Sequence, residues 1–440
     1  MPIDFHLSPG EADIRAAAMN FARSVLKPAR TEYMTHKEHY RQFQATRAAY
    51  AAAVTGGFVK GQVSPNIGGT GGSLVEATIL VEEFYAVEPA TALTIFATGL
   101  GLTPLNLTQK PEHREFLAPF LSTEGTPLAS LVFSEPGGVA NYLEKGAPGL
   151  NTTAYREGDE WVISGEKKWA TNSAGWDNRG VDLACVVCRD ITKPTKNPDA
   201  DPQDLVMIIM VTRADLERSG DSSFQVLREV STLGHTASGP GPHIRYSNVR
   251  VPAKNVLCHA GEAAAVISAS FDLSAILVGA MAVGLMRTAF DTALAFAKSD
   301  DRRGKEPLLQ RQAVADLLST IKMQTEACRA LTWKAAHAMD HGPGDYQARR
   351  ELALAAKVYC SDAAVKAITD SISVVGVTAY DAEQPFAELL NNAIALPIFD
   401  GGNVGIRRRH LQELMLSPNY DPWTATFGPS TVSDEVRHSV

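Results

Sequence analysis

The segment 396–411 combines residue types that suit the removal of a proton from carbon. A single carboxylate, Asp400, precedes two glycines and Asn403, and three consecutive arginines, 407–409, follow. A carboxylate accepts a proton only when it is ionised, and both a nearby arginine and the exposed N–H groups of a helix start favour the anion. Asn403 is the candidate cap of that helix. The alternative is a turn aspartate beside a solvated arginine face, because both features are common in proteins.

The bulk composition excludes several other classes of function. The chain has 440 residues and a net charge of -8, and its basic residues are dispersed apart from 407–409. We therefore expect a folded protein without a nucleic-acid-binding surface. No basic segment followed by an apolar run opens the chain, and no apolar run reaches the roughly 18 residues that span a bilayer. We expect a cytoplasmic protein that does not cross a membrane.

The cysteines do not indicate a metal or redox centre. Cys185 and Cys188 have C-x-x-C spacing, but the apolar run around them predicts a strand. Residues three apart on a strand point to opposite faces, which is poor geometry for a shared metal or disulfide. We therefore expect core cysteines and no bound metal.

The first of three segments that must position these residues, 1–125, shows helical periodicity. One helix has an apolar stripe that ends at Tyr85, and Ser73 is placed to cap its start. Glu82 and Glu83 lie off that stripe. This segment is predicted to form an N-terminal helical domain.

The other two segments predict a small β domain followed by a helical bundle. Residues 126–258 contain short β-rich runs, with a hairpin signal at 157–159. Residues 259–440 contain long, Ala-rich apolar helices, which must bury their stripes against one another. The predicted fold class is α+β.

Four motifs occur in order along the chain. They are LASLVFSEPGGVAN, WVISGEKKWATNSAG, KSDDRRGKEPLLQRQAVADLL and DSISVVGVTAY. In sequence and spacing they resemble the flavin-dependent acyl-CoA dehydrogenases, and the resemblance covers nearly the whole chain. It implies that family's fold, with a four-helix bundle as the C-terminal domain, together with FAD as cofactor and a homotetramer as the assembly.

The resemblance also implies which residues hold the FAD. Ser134, Thr171 and Asn172 can hydrogen-bond the edge of an isoalloxazine ring, and Trp169 can cover an apolar flank. Taken alone, Trp169 is more simply a core residue beside a turn. Arg302 suits a pyrophosphate, which a guanidinium binds through two oxygens, although it also suits a helix C-terminus. The full implied set is Leu131, Phe133, Ser134, Ala140, Asn141, Trp169, Thr171, Asn172, Arg302, Arg311, Gln312, Val375, Gly376, Gly401, Gly402 and Asn403.

The position of the family's catalytic base is occupied by Asp400. The family often has a glutamate in the sequence Tyr-Glu-Gly-Thr, where this chain has Phe-Asp-Gly-Gly. Asp400, with Arg407 seven residues later and Ser274 in an apolar helix, resembles the branch of the superfamily that oxidises nitroalkanes. The resemblance implies that Asp400 removes the α-proton of a neutral nitroalkane and that the carbanion adds to N5 of FAD. The implied products are an aldehyde or ketone, nitrite and, with O2 as oxidant, hydrogen peroxide.

Three alternatives remain open from sequence. The first is an acyl-CoA dehydrogenase or oxidase that uses Asp400 as its base. The second is a flavin monooxygenase of the same fold, which would need a partner reductase. The third is a catalytically silent scaffold that keeps the fold for assembly.

Overall fold

The structure is a computed structural model that describes residues 5–192 and 201–429. The chain divides into two compact units. The first unit comprises Met1–Ser24, Ser73–Pro89 and Asp272–Val440, and the second comprises Val25–Gly72 and Ala90–Phe271. The division into three domains at about residues 125 and 258 remains a prediction.

Helices account for most of the first unit and flank the sheet of the second. Within the described ranges, two turns have π-helical hydrogen bonding, Ala22–Leu26 and Asn403–Arg407. The α-helices of the described residues are α1 Pro9–Phe21, α2 Lys27–Tyr33, α3 His39–Ala45, α4 Arg47–Thr55, α5 Leu74–Tyr85, α6 Pro89–Thr108, α7 Ala118–Leu121, α8 Arg213–Ser219, α9 Ala263–Ser299, α10 Gln312–His341, α11 Tyr346–Val375, α12 Phe386–Ala393, α13 Arg408–Met415 and α14 Thr424–Phe427.

The second unit contains a mixed eight-stranded sheet. Its order is β6-β7-β3-β2-β4-β5-β8, and β1 pairs with β4 in parallel. The strands are β1 Ala129–Val132, β2 Thr153–Glu157, β3 Glu160–Lys167, β4 Leu183–Asp190, β5 Val206–Thr212, β6 Phe224–Arg228, β7 His243–Pro252 and β8 Val256–Cys258. The predicted hairpin is confirmed, since β2 and β3 are antiparallel and joined through Gly158, whose φ is 63°.

The two C-x-x-C cysteines lie in β4, as the strand prediction requires. Cys185 and Cys188 are both fully buried. Burial raises the pKa of the Cys188 thiol to about 12, so the neutral thiol dominates at neutral pH. Among the described residues no group of three or more His, Cys, Asp or Glu side chains could hold a metal ion.

The start of α5 is confirmed by its cap. The Ser73 hydroxyl accepts from the backbone N–H of Glu76 at 3.2 Å, and the Glu76 carboxylate accepts from the Ser73 N–H at 2.9 Å. This reciprocal pair satisfies two N–H groups that the first turn leaves unbonded. Glu82 and Glu83, off the apolar stripe, are nevertheless buried, because Arg287 bonds to both at 2.9 Å or less.

Small side chains let the long helices of the first unit approach closely. α10 packs against α11 and α5, and its contact surface is rich in alanine. Ala335 and Ala336 of α10 and Ala353 and Ala356 of α11 are fully buried in one cluster. This packing explains the Ala-rich stripes of the sequence and confirms the predicted helical C-terminal region.

Among the residues that the structure describes, two helices, α6 and α9, have the length and composition of a membrane span. Within the apolar window of each, 67% of the residues are buried inside the protein. Both therefore have the character of core helices.

Candidate active site

Asp400 lies in a strained turn between α12 and the π-helical turn that leads into α13. Its φ is 51° and that of Gly401 is 78°, so two consecutive residues are left-handed. A Cβ on Gly401 would lie 2.8 Å from Nε of Arg407, so only glycine fits there. The left-handed conformation costs an aspartate roughly 1 kcal/mol, so the surroundings must hold it.

Ser274 and Asp400 meet although 126 residues separate them in sequence. Ser274 lies on α9, is 9% exposed, and donates a hydrogen bond from Oγ to Oδ2 of Asp400. The hydroxyl thereby orients the carboxylate of Asp400. The structure brings these two predicted catalytic residues into direct contact.

Arg407 holds the turn through its main chain. Its Nε and Nη2 donate to the backbone carbonyl of Asp400 at 2.9 and 2.7 Å, and its Nη1 donates to Oδ1 of Asp272 at 3.2 Å. Arg407 is 2% exposed, and this burial lowers its pKa, while the charges of Asp272 and Asp400 oppose the shift. Because an arginine stays charged even when its pKa falls from so high a value, a buried cation lies beside the carboxylate.

Asp272 is a site residue that sequence reasoning missed. It is fully buried, two residues before Ser274 on α9, and also accepts from the Tyr346 hydroxyl at 2.9 Å and from Nε of Arg350 at 2.7 Å. A signal was present, because Asp272 is the single charged residue between positions 262 and 287. An acid in so apolar a helix requires a buried partner.

Asn403 has a different role from the predicted cap. The N-cap of the π-helical turn is Gly402, and Asn403 is the first residue of the turn. Its side chain bonds instead to α11, donating to Ser361 at 2.9 Å and to Asp362 at 2.8 Å. Lys357 of α11, another residue that sequence reasoning missed, donates to Oδ1 of Asn403 at 2.8 Å.

Tyr85 is a further neighbour of the carboxylate. It ends α5 and is 1% exposed. Burial first, and then the negative charge of Asp400, raises the pKa of the Tyr85 phenol well above its usual range. The sequence placed Tyr85 on an apolar stripe, and the structure adds that its phenol is close enough to Asp400 for the charge to affect its pKa.

In the second unit, the ends of β1 and β3 bring together several residues predicted to contact the flavin ring. The Lys168 N–H donates to the carbonyl of Ser134 at 2.9 Å, and the Ser130 hydroxyl donates to the carbonyl of Thr171 at 2.7 Å. Trp169 has a φ of 71° and an indole that is 55% exposed. The hydroxyls of Ser134 and Thr171 form no hydrogen bond within the described part of the chain.

A buried ion pair fixes this end of β1. Lys167 is 0% exposed, and its Nζ donates to the carbonyl of Phe133 at 2.8 Å and to Glu135 at 3.1 Å. Asn172 serves the same scaffold, because its amide already donates to the carbonyl of Thr94 at 3.0 Å. Of the other predicted residues here, Leu131 and Phe133 are buried, and Ala140 and Asn141 lie in an exposed turn.

Of the other residues of the first unit predicted to hold FAD, Arg302, Arg311, Gln312 and Gly376 are exposed, whereas Val375 is buried. Arg302 donates to the carbonyl of Val375 at 2.5 Å, beside Gly376, whose φ is 70°. Arg311 and Gln312 lie at the start of α10, and both are exposed. Both places, the one at Arg302 and the one at the start of α10, border one apolar cluster, in which Leu309 and Val314 pack against the group that contains Val375.

The donor set of the second unit suits a flavin. An isoalloxazine ring requires an apolar face and polar groups at its edge. The exposed indole of Trp169 and the unengaged hydroxyls of Ser134 and Thr171 provide both. The exposed cations Arg302 and Arg311 of the first unit have the charge that a pyrophosphate needs.

Comparison with known families defines the class. The model for the acyl-CoA dehydrogenase N-terminal domain matches residues 8–124, and that for the C-terminal domain matches residues 263–416. Butyryl-CoA dehydrogenase from Megasphaera elsdenii, at 22% identity over 94% of this chain and all of its own, has the same fold with a TM-score of 0.79. The predicted α+β fold is confirmed.

Closer relatives narrow the class to one enzyme family. Nitroalkane oxidase from Podospora anserina is 67% identical over 97% of this chain and 99% of its own length. Its solved structure matches with a TM-score of 0.95. Nitroalkane oxidase from Fusarium oxysporum is 46% identical over 98% of this chain and 99% of its own length. The chain belongs to the nitroalkane oxidase family, whose members are FAD flavoproteins.

Proposed function

We propose that this protein oxidises nitroalkanes to aldehydes or ketones and releases nitrite and hydrogen peroxide, with FAD as cofactor. Asp400 is the base that removes the α-proton of the neutral substrate, and Ser274 and Arg407 position it. O2 is the final oxidant.

The main support for the proposal is the set of three residues Ser274, Asp400 and Arg407. Solved nitroalkane oxidase structures include active-site variants at a serine and at an aspartate, and the reaction roles of that aspartate and an arginine have been studied. The serine precedes the aspartate by 126 residues, and the arginine follows it by 7. The same separations hold between Ser274, Asp400 and Arg407 here.

The chemistry of these side chains matches the reaction. The α-hydrogen of a nitroalkane is acidic because the nitro group stabilises the anion, so a positioned carboxylate is a sufficient base. Ser274 engages Oδ2 and leaves Oδ1 of Asp400 to receive the proton. Arg407 fixes the turn that carries the carboxylate and places a positive charge near the substrate anion.

The residues that would hold FAD are those described at the ends of β1 and β3 and the exposed arginines 302 and 311. Bound FAD supplies the electron acceptor for the two-electron oxidation. The protein's own contribution is the removal and retention of one proton at Asp400 and the orientation of the groups around it.

One experiment separates the proposal from its alternatives. Purified protein with bound FAD is mixed anaerobically with nitroethane or with butyryl-CoA, and the flavin absorbance near 450 nm is followed, on the order of seconds. We expect nitroethane alone to bleach the flavin and, in air, to yield nitrite without NAD(P)H. Bleaching by butyryl-CoA alone would identify an acyl-CoA dehydrogenase. A requirement for NAD(P)H would identify a monooxygenase, and absence of FAD a silent scaffold.

The assembly and location of the protein are part of the proposal. We propose a cytoplasmic homotetramer, supported by the resemblance to the acyl-CoA dehydrogenases and by exposed apolar side chains such as Val377 and Tyr380, at 82% and 93% exposure. Light scattering after size-exclusion chromatography is expected to give four times the chain mass of 47.2 kDa. A monomer mass would contradict this assembly.

A further inference from the structure

Lys357 is a fully buried lysine whose hydrogen-bond partners are both uncharged. It lies in the middle of α11, and its Nζ donates to the carbonyl of Gly401 at 3.0 Å and to Oδ1 of Asn403 at 2.8 Å. Lys167, equally buried, has the carboxylate of Glu135 at 3.1 Å. A lysine is almost never fully buried without such a partner, so the position of Lys357 calls for a function.

The environment of Lys357 explains how it is tolerated. Burial, and then the charge of Arg407, lowers the pKa of its amine to about 7, against the opposing charges of Asp400 and Asp362. Much of it is therefore a neutral amine near neutral pH. A neutral amine has two N–H donors, which match the two acceptors that it contacts.

Those acceptors belong to the segment that carries the base. Gly401 directly follows Asp400, and Asn403 is held by three more contacts from α11, at Val358, Ser361 and Asp362. Residues on one face of α11 thus hydrogen-bond to residues 401–403. These contacts restrain the turn, whose two left-handed residues, Asp400 and Gly401, would otherwise relax to a less strained conformation.

Two side chains together hold consecutive carbonyls of this turn. Arg407 binds the carbonyl of Asp400, and Lys357 binds that of Gly401. We propose that Lys357 is a positioning residue for Asp400, which fixes the turn so that the carboxylate meets Ser274 and the α-hydrogen of the substrate. This inference rests on the proposed function, since it assigns Lys357 a part in proton removal.

The test replaces Lys357 by methionine, which fills similar space without donors. Anaerobic stopped-flow mixing compares flavin reduction by neutral nitroethane with reduction by its preformed anion, which needs no base. We expect the rate with the neutral substrate to fall about 10-fold to 100-fold, because a small displacement of a catalytic group has a large effect on rate. The rate with the anion should stay within about 2-fold of wild type.

A second readout does not depend on activity. Hydrogen–deuterium exchange of the peptide covering residues 397–407 is expected to be at least about 10-fold faster in Lys357→Met than in wild type, because the Gly401 carbonyl loses its donor. Lys357→Gln, which keeps an amide donor without charge, should recover part of both effects. If Lys357→Met does not yield FAD-loaded protein, Lys357→Gln is compared with wild type in its place.

The matched control is Lys366→Met, on the same helix. Lys366 is exposed and pairs with Asp370 at 2.6 Å, away from the turn, so both rates should be unchanged. Equal loss of both rates in Lys357→Met, or no loss with the neutral substrate, would overturn the inference. Failure of wild-type protein to react with nitroethane would instead refute the proposed function, so the two failures are distinguishable.

Discussion

At the scale of single residues, the hydrogen bond from Ser274 orients the carboxylate of Asp400. Oδ2 accepts from the hydroxyl, and we expect the substrate proton to arrive at Oδ1. A carboxylate that a protein hydroxyl already orients needs little reorganisation during the reaction. The base and its orienting group therefore form one unit.

Replacing Asp400 by asparagine removes the proton acceptor and keeps the shape. We expect Asp400→Asn to fold, to bind FAD and to accept the Ser274 hydrogen bond, but to lose at least about 100-fold in flavin reduction by neutral nitroethane. Reduction by the preformed nitroalkane anion should persist. Stopped-flow absorbance measures both rates, and a normal rate with the neutral substrate would show that another group is the base.

Asp272 is predicted to matter chiefly for stability. It is the buried counter-charge of Arg407 and Arg350, so Asp272→Ala leaves two partly or fully buried cations without a carboxylate. Breaking a buried ion pair on one side typically costs about 3 kcal/mol or more. Chemical denaturation measures the loss, with Asp291→Ala, an exposed position on the same helix, as the control. Equal stability of the two variants would contradict this role.

At the scale of elements, the turn before α13 depends on one of its two glycines. Gly401 has a φ of 78°, and its Cβ would strike Arg407, whereas Gly402 has a φ of -55° and its nearest neighbour would be 3.5 Å away. The two positions therefore form a matched pair.

Gly401→Ala should displace Arg407 and strain the backbone by roughly 1–2 kcal/mol. We expect turnover of nitroethane to fall by at least about 10-fold, because the carboxylate moves with the turn. Gly402→Ala should leave Arg407 and the turn in place, since its Cβ would lie 3.5 Å from the nearest atom, so any smaller loss that it shows reports on the predicted flavin contact of Gly402. Steady-state oxygen consumption compares them, and equal activity of the two variants would show that the turn tolerates a side chain.

The sequence predicted the elements better than the contacts between them. The hairpin at Gly158, the cap at Ser73 and the Ala-rich helices are encoded by local patterns, which short segments reveal. The sequence showed two glycines directly after Asp400, but Asp400 itself also adopts a left-handed φ, of 51°. That conformation depends on Arg407 and Lys357, which no local pattern shows.

The candidate site, too, was only partly predictable from the sequence. Motif resemblance identified Ser274, Asp400 and Arg407, which the structure brings together. Asp272 and Lys357 were missed because their partners are distant in sequence, at 135 residues for Asp272 and Arg407 and 46 for Lys357 and Asn403. A buried charge on an apolar helix indicates that a partner exists, but only the fold shows which one.

At the scale of the whole molecule, the first unit keeps several titratable groups buried around one carboxylate, so its stability must depend on pH. Nδ1 of His410 accepts a hydrogen bond from Nη2 of Arg350 at 3.1 Å. Burial, followed by the charges of Arg350, Arg407 and Arg409, lowers the pKa of His410 from 6.5 to about 4. The pKa of Lys357 is higher, about 7. The two residues therefore change the free energy of unfolding in separate pH ranges.

Between pH 6.5 and 4 the unfolded chain binds a proton at His410 and the folded chain does not. The free energy of unfolding therefore falls as the pH drops through this window, and this contribution is absent in His410→Asn. We expect the Tm of wild type to decrease relative to that of His410→Asn by a few degrees, since about 1 kcal/mol shifts Tm by roughly 2 °C in a large chain. Differential scanning fluorimetry at pH 4 to 7 measures the difference, and carboxylates present in both proteins cancel from it. His259→Asn, at an exposed histidine, serves as the control. Parallel Tm curves for wild type and His410→Asn would contradict the prediction, because they would mean that His410 binds its proton equally in the folded and the unfolded chain.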